Sequence, residues 1–199
     1  MRSLLADHEL VLLAEFAISS QQWPELRDIG ERMCNEYPGT PNGPLFVARA
    51  ARELGDVEAA EQILAPALER FPDVDALAIE HAWLALNRED WPAAAERWKN
   101  VRTREPQNVS AYLWGAYALR REEHYEAAER LIAQAMVLFP DEVQPTVDYA
   151  LIAEERGEWT ESRRRWDALR QLFPDDAAAQ ARADEALGER QVEESSLKV

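Results

Sequence analysis

Five prolines lie in register along this chain, separated by one constant interval of thirty-four positions. They are Pro38, Pro72, Pro106, Pro140 and Pro174. Fifteen positions ahead of each proline, a second set keeps the same step: Trp23, Val57, Trp91, Tyr125 and Trp159. A third set, nine positions further ahead, is alanine in every copy: Ala14, Ala48, Ala82, Ala116 and Ala150. A period of this length is typical of a repeat array, whose units are too small to fold alone and stack on one another.

One copy, residues 109–142, shows what each unit contains. Apolar residues recur at helical spacing before and after a polar turn at His124, which predicts two amphipathic helices, A and B. Pro140 ends helix B, because proline disfavours helical backbone at the residue before it. Small residues at fixed positions let the helices approach closely, and large residues beside them fill the remaining space. In helix B that large position holds Leu64, Trp98, Ile132 and Trp166.

The unit resembles the tetratricopeptide repeat, of the type found in bacteria. Small residues at positions 8 and 20, an aromatic at 17 and a proline at 32 carry the resemblance, although position 8 is alanine here and usually glycine in the family. The resemblance implies an all-α fold: a right-handed α-solenoid of five helix–turn–helix repeats plus a C-terminal capping helix. The five repeats together cover 7–176, as 7–40, 41–74, 75–108, 109–142 and 143–176. We expect the capping helix over 177–187 and a flexible acidic tail over 188–199.

A longer period, twice the first, lies over the shorter one. Helix B of repeats 3 and 5 carries paired tryptophans, whereas helix B of repeats 2 and 4 reads Glu-Ala-Ala-Glu over 58–61 and 126–129. This alternation indicates duplication of a two-repeat unit.

Two proline sites predict local irregularity in repeat 2. Pro66 falls inside helix B, where it removes a hydrogen bond and predicts a kink near 62–66. The segment 41–44 contains two prolines and a glycine, so we expect helix A of this repeat to begin near Pro44.

The charge balance limits the classes of partner. The formal net charge is −16, from 22 basic and 38 acidic residues. Phosphate contacts and anionic membrane surfaces both require a basic footprint, so we expect no nucleic-acid binding. A high negative charge is also an ordinary aid to solubility.

The expected cellular compartment is inferred from three features that the sequence lacks: a disulfide, a signal peptide and a membrane span. Cys34 is the one cysteine, so no internal disulfide is possible. The first ten residues mix charges into their apolar run, unlike a signal peptide, and no stretch has the ~20 apolar residues of a membrane span. We expect a cytoplasmic protein with no membrane insertion.

No catalytic or metal-binding constellation stands out. The three histidines have no ligand partner at helical spacing, and the 7 glycines form no phosphate loop. His81 is interpreted as a packed or hydrogen-bonded helix residue, and Cys34 as a small core residue. We therefore predict that the chain is not an enzyme and needs no cofactor.

The resemblance also implies a binding surface, because A helices line the concave groove of tetratricopeptide arrays. Arginine and aromatic residues dominate interface hot spots, and arginine pairs bidentately with carboxylates. An alternative is that the arginines pair with local acids such as Glu53 and Glu122 and that the aromatics pack between A helices. The predicted partner-binding residues are Arg49, Arg52, Trp83, Trp114, Tyr117, Arg120 and Arg121.

These observations predict a non-enzymatic adaptor or scaffold that binds an acidic peptide or domain of a partner protein in the groove. One alternative is self-assembly into a homo-oligomer through an apolar row. That row comprises Val11, Leu45, Ile79, Leu113 and Val147, together with Trp83. Another alternative is an accessory subunit of a bacterial glycan-modifying or envelope enzyme, because similar arrays occur fused to glycosyltransferase or sulfotransferase domains.

Overall fold

The computed structural model describes the backbone of residues 2–196 and the side chains of residues 7–188. Over these residues the chain is helical with short turns and contains no strand. It divides into two compact units, Met1–Glu105 and Pro106–Val199.

The first unit contains six helices within the described residues, and the second contains five. The first six are α1 (Arg2–Ser19), α2 (Trp23–Glu36), α3 (Asn42–Glu53), α4 (Val57–Arg70), α5 (Asp75–Asn87) and α6 (Trp91–Arg104). The second unit comprises α7 (Val109–Arg121), α8 (Tyr125–Leu138), α9 (Val143–Glu155), α10 (Trp159–Leu172) and α11 (Ala177–Ser196). Odd-numbered helices up to α9 are the A helices of the five repeats, and even-numbered helices are the B helices.

All five B helices have the same length and register. Each has 14 residues, begins at a residue of the set that starts with Trp23, and ends two residues before one of the periodic prolines. The proline therefore follows a C-cap residue rather than interrupting a helix. The predicted helix–turn–helix unit is confirmed.

The periodic small and large residues form the core. Every alanine of the set that starts with Ala14 is buried, as are the small residues of helix B, which are Ala60, Ala94, Ala128 and Ser162. The large residues at the next position of the stripe, Leu64, Trp98, Ile132 and Trp166, are also fully buried. Since small residues let two helices approach and large ones fill the space beside them, the core is interdigitated as predicted.

The turns between A and B helices repeat one backbone conformation. A left-handed residue occurs at the same step in each: Gln21, Gly55, Glu89, Glu123 and Gly157. The next residue is the N-cap of helix B, and at Asp56 and Asp90 its side chain accepts a hydrogen bond from the backbone N–H of the third residue of that helix. This conformation reverses the chain in few residues.

The structure of the two proline-containing segments of repeat 2 differs from the prediction at the start of α3. Helix α3 begins at Asn42, two residues earlier than predicted, and Pro44 lies in its first turn. A proline is tolerated there because the first amides of a helix have no partner within it. Helix α4 continues through Pro66 to Arg70. The kink in this helix stays a prediction.

The last helix is longer than the sequence predicts. Its buried residues Ala179 and Ala183 share a core cluster with Val147, Trp166 and Leu169, so α11 covers the end of repeat 5. The helix runs past Gly188 to Ser196, because the glutamate and arginine residues that follow are good helix formers. The final part of the predicted tail, 197–199, lies outside the described residues.

Helices α2 and α3 of the first unit approach each other closely. A Cβ atom on Gly30 would lie 2.9 Å from the backbone nitrogen of Val47, and one on Gly43 would lie 2.7 Å from that of Cys34. Only glycine lets two backbones approach this closely.

Candidate functional site: a pocket on the A helices of each unit

A pocket of about 430 Å³ lies between α3 and α5 in the first unit. Its walls combine apolar and charged side chains from both helices. They include three of the predicted partner-binding residues, Arg49, Arg52 and Trp83, together with Leu45, Ile79 and Glu80. Recognition sites usually combine apolar walls with a small number of placed polar groups, and half of the residues that line this pocket are charged.

The charge of Arg52 is already compensated within the pocket wall. Its side chain is 9% exposed, with Nε 2.5 Å from the Glu80 carboxylate and Nη2 2.9 Å from that of Glu53. The guanidinium also lies 5.7 Å from the centre of the Trp83 ring. Through Glu80, Arg52 holds α3 against α5. Its pairing with Glu53 is the one expected by the alternative interpretation, in which the arginines pair with local acids.

Arg49 differs from its neighbour Arg52. It is half-buried, and its Nε atom is buried with no hydrogen-bond partner among the described residues. Within the described pocket wall no acid pairs with it, because Glu53 and Glu80 are both bound to Arg52. A guanidinium carries five N–H donors in a fork that fits a carboxylate, and the buried Nε donor of Arg49 is unused among the described residues.

The second unit contains a pocket of about 500 Å³ between α7 and α9. Three more predicted residues line it, Trp114, Tyr117 and Arg120, together with Leu113, Asp148 and Leu151. The rings of Trp114 and Tyr117 meet edge to face, with centroids 5.8 Å apart. This pocket is more aromatic than the first.

Arg120 is neutralised in a way that parallels Arg52. Its side chain is 9% exposed and pairs with both carboxylate oxygens of Glu155, at 2.5 and 2.9 Å. Its Nη1 also lies 3.7 Å from Asp148. Burial raises the pKa of the Asp148 carboxyl above its ordinary value, although Gln144 donates a hydrogen bond to it.

The two pockets are equivalent by the step of two repeats. That step carries Leu45, Arg52 and Glu80 to Leu113, Arg120 and Asp148, and each pair occupies the same place in its own pocket. Arg49 of the first pocket corresponds to Tyr117 of the second, so the two pockets differ in charge at this position. The predicted site residues therefore fall into two separate sets, and Arg121, an exposed residue, lines neither pocket.

Sequence reasoning missed the acids Glu80, Asp148 and Glu155. The signal for two of them was available, since an arginine and an acid recur at the same spacing in both halves of the duplication, as Arg52 with Glu80 and Arg120 with Asp148. Only the packing of neighbouring A helices shows that these residues meet.

A second set of ion pairs repeats with the same step on the B-helix side. Arg97 donates to the carbonyl oxygen of His81 at 2.8 Å and to Glu61 at 3.2 Å. Arg165 likewise donates to the carbonyl oxygen of Tyr149 at 2.7 Å and to Glu129. These equivalent networks support the predicted two-repeat duplication.

His81 belongs to this structural network. Its Nε2 lies 3.1 Å from Glu61, and burial and the nearby Arg97 charge lower the pKa of the imidazole below its ordinary value. Burial alone would raise the pKa of the Glu61 carboxyl, but Arg97 and His81 more than offset this and lower it. His81 is thus a hydrogen-bonded helix residue at neutral pH.

One member of the apolar row considered for self-assembly is not at the surface of its own unit. Val147 is buried, in a core cluster with Trp166 and Ala179, whereas the other five members are half-buried. Burial of Val147 follows from its contact with α11.

The part of the chain that the structure describes offers neither a metal site nor a membrane span. In that part, no group of three or more histidine, cysteine, aspartate or glutamate side chains could hold a metal ion. Its helices are all too short or too polar to cross a membrane.

Comparison with known proteins adds evidence on the fold. No protein-family model matches this chain, and no curated protein matches its sequence. A TPR protein from Thermus thermophilus aligns with 91% of this chain and 98% of its own, with a TM-score of 0.69 and 17% identity. MamA from Desulfovibrio magneticus RS-1 aligns with 86% of this chain and 97% of its own, with a TM-score of 0.74 and 13% identity.

The chain has the tetratricopeptide-repeat fold. A third TPR structure, from Parabacteroides merdae, aligns with the whole of this chain and 78% of its own, with a TM-score of 0.74 and 14% identity. The helices of this chain and these matches confirm the predicted fold class, an α-solenoid of helix–turn–helix repeats. At such identities the likeness concerns the fold alone.

Proposed function

We propose that this chain is a non-enzymatic interaction module that binds a segment of a partner protein on its A-helix faces. The observation that carries the proposal is Arg49. It lines a pocket whose walls are both apolar and charged, and no acid among the described residues pairs with it, whereas the neighbouring Arg52 is paired twice. An arginine and a tryptophan that line one pocket have the composition of an interface hot spot.

The charge of the chain narrows the chemistry of the segment. A net charge of −16 repels a strongly acidic partner at long range, so a run of many acids is disfavoured. A single carboxylate flanked by apolar side chains fits better, because Arg49 can donate hydrogen bonds to the carboxylate. The flanking side chains would then contact the apolar residues of the pocket, which are Leu45, Ile79 and Trp83. We infer that the second pocket, with Trp114 and Tyr117, accepts an apolar or aromatic side chain.

The test is affinity capture on immobilised protein, comparing the wild type with Arg49→Glu and a matched control, Arg32→Glu. The Arg32→Glu substitution changes the charge by the same amount. Arg32 lies on α2, outside the pocket, and pairs with Glu36. We expect at least one protein to be retained by the wild type and the control and lost by Arg49→Glu. The conservative Arg49→Lys variant should retain it weakly, since lysine keeps the charge without the bidentate fork.

Identical capture by all four proteins would contradict the assignment of Arg49. Circular dichroism of each variant must match the wild type, so that loss of a partner is not loss of the fold. Where a partner is found, truncation of its sequence should locate a segment with one carboxylate between apolar residues.

A further inference from the structure

One acid of the second pocket is buried but only partly hydrogen-bonded. Asp148 is 9% exposed, whereas the other residues that line this pocket are half-buried or exposed. Its Oδ1 atom accepts a hydrogen bond from Gln144 at 2.9 Å, and none of the described residues donates a hydrogen bond to its Oδ2 atom. A carboxylate has about four lone-pair sites, so most of the accepting capacity of Asp148 is unused.

Comparison with the first pocket explains why this acid is left open. There the equivalent acid, Glu80, lies 2.5 Å from the Nε atom of Arg52. In the second pocket the equivalent arginine, Arg120, donates its hydrogen bonds to Glu155 instead, and its Nη1 atom lies 3.7 Å from Asp148. Arg120 is therefore compensated by Glu155, and Asp148 receives no hydrogen bond from it.

The surroundings of Asp148 favour a hydrogen-bond donor as its partner. Burial raises the pKa of its carboxyl, although Gln144, Arg120 and Arg182 act to lower it. The charge is therefore only partly compensated, and a buried acceptor without a partner is costly. A donor group on a bound segment would occupy the open site at Oδ2.

The donor that fits this site is neutral rather than cationic. Arg120 and Arg182 both line the pocket, and the Nη1 atom of Arg182 lies 3.4 Å from the side-chain oxygen of Gln144. An ammonium or guanidinium group beside Asp148 would therefore lie close to two positive charges, whereas a hydroxyl group would not be repelled by them.

The rest of the wall favours an aromatic ring. Leu113 and Leu151 supply apolar surface, and the rings of Trp114 and Tyr117 already meet edge to face. Aromatic rings prefer such contacts, so a third ring can join this pair. Tyrosine combines a ring with a hydroxyl group at its tip, and the tip of an inserted side chain is the part that reaches the most buried residue of the pocket, Asp148.

We propose that the second pocket binds a tyrosine side chain of a partner protein, with its hydroxyl donating to Oδ2 of Asp148 and its ring against Trp114 and Tyr117. This inference rests on the proposed function, in which the pocket accepts an apolar or aromatic side chain, and it names that side chain. Asp148 gives the pocket its preference for tyrosine over phenylalanine, because a phenylalanine would cover the carboxylate without supplying a donor.

The probes are N-acetyltyrosine amide and N-acetylphenylalanine amide, which differ only in the hydroxyl group. Each is titrated into the full chain, and binding is followed by NMR through the indole N–H signal of Trp114, assigned with the Trp114→Phe variant. We expect the tyrosine amide to bind about tenfold more tightly, the effect of one hydrogen bond to a charged group. The corresponding lysine amide should bind more weakly than both.

Asp148→Ala should remove the preference, so that both aromatic amides bind with equal affinity. The matched control is Asp167→Ala, which removes the same charge at an exposed residue of α10 outside the pocket and should keep the preference. Arg49→Glu, the variant that tests the proposed function in the first pocket, should also keep it, so the two proposals can fail separately.

Three results would overturn the proposal on the wild-type chain, whether or not Asp148→Ala folds. They are an unchanged Trp114 signal, equal affinities for the two aromatic amides, and tighter binding of the lysine amide. A preference that persists in an Asp148→Ala chain with the circular dichroism of the wild type would also overturn it, as would a preference lost in Arg49→Glu, since the tyrosine would then lie in the first pocket.

Discussion

Replacement of Gly43 by alanine tests the close contact between α2 and α3. The new Cβ atom would lie 2.7 Å from the backbone nitrogen of Cys34, 2.8 Å from its Sγ and 3.1 Å from its Cα. Ordinary van der Waals contact begins at 3.4 Å, so α3 must move away from α2 by several tenths of an ångström. Two of the three atoms belong to the backbone, so a side-chain rotation cannot relieve the clash.

The expected cost follows from the effect of overpacking, which is typically about 1–3 kcal/mol. Alanine recovers up to about 1 kcal/mol of helix propensity in a helix interior, but Gly43 is the second residue of α3, where the gain is smaller. We therefore expect Gly43→Ala to lower the free energy of unfolding by about 2 kcal/mol. The measurement is urea unfolding followed by far-ultraviolet circular dichroism.

Gly39→Ala is the matched control, because a Cβ atom there would meet nothing within 4 Å. It should change the free energy of unfolding by less than about 0.5 kcal/mol. Gly30→Ala should act like Gly43→Ala, since its Cβ atom would lie 2.7 Å from Val47 Cγ2 and 3.1 Å from the Gly43 oxygen. The double variant should cost less than the sum, because one movement of α3 relieves both contacts. Equal unfolding midpoints for Gly43→Ala and Gly39→Ala would refute the reasoning.

Three further substitutions test other features. Gly55→Ala should destabilise the chain by about 1 kcal/mol in urea unfolding, because φ is +85° at this turn and alanine disfavours that conformation. Arg165→Ala should cost about 3 kcal/mol and more than Arg97→Ala in the same assay, because the Arg165 side chain is 7% exposed and that of Arg97 is 24% exposed. Hydrogen bonds from Arg164 and Arg165 lower the pKa of Glu161 to about 2, so its contribution to stability is present above pH 4.5 and is lost as the pH falls towards 2. Glu161→Gln should therefore weaken the fall in urea midpoint between pH 5 and pH 2.5.

The sequence predicted the repeat frame well because local rules set it. The residue that starts each B helix and the proline that follows the helix recur once in every repeat, and the proline disfavours helical backbone at the residue before it. The left-handed turn residues share the same step, but glycine occupies only two of the five positions. The two glycines, Gly55 and Gly157, are the sequence signal for this conformation.

The predicted site depended on information that local rules do not contain. Arg49 and Arg52 lie three residues apart on one helix, yet one is uncompensated among the described residues and the other is paired twice. The difference arises from Glu80 on the next A helix, 28 residues away from Arg52. No helical periodicity predicts which of two neighbouring arginines will receive that acid.

The sequence by itself determined that this protein is an array of paired helices, because the spacing of apolar residues, small residues and prolines acts on the backbone nearby. Tertiary structure alone decided which faces are covered. Repeat 1 has the same helical pattern as the others, but Leu12, Leu13 and Phe16 of α1 are exposed, whereas the equivalent residues of α3 are buried. Burial and charge compensation depend on which neighbour packs against a residue, and that neighbour lies a whole repeat away along the chain.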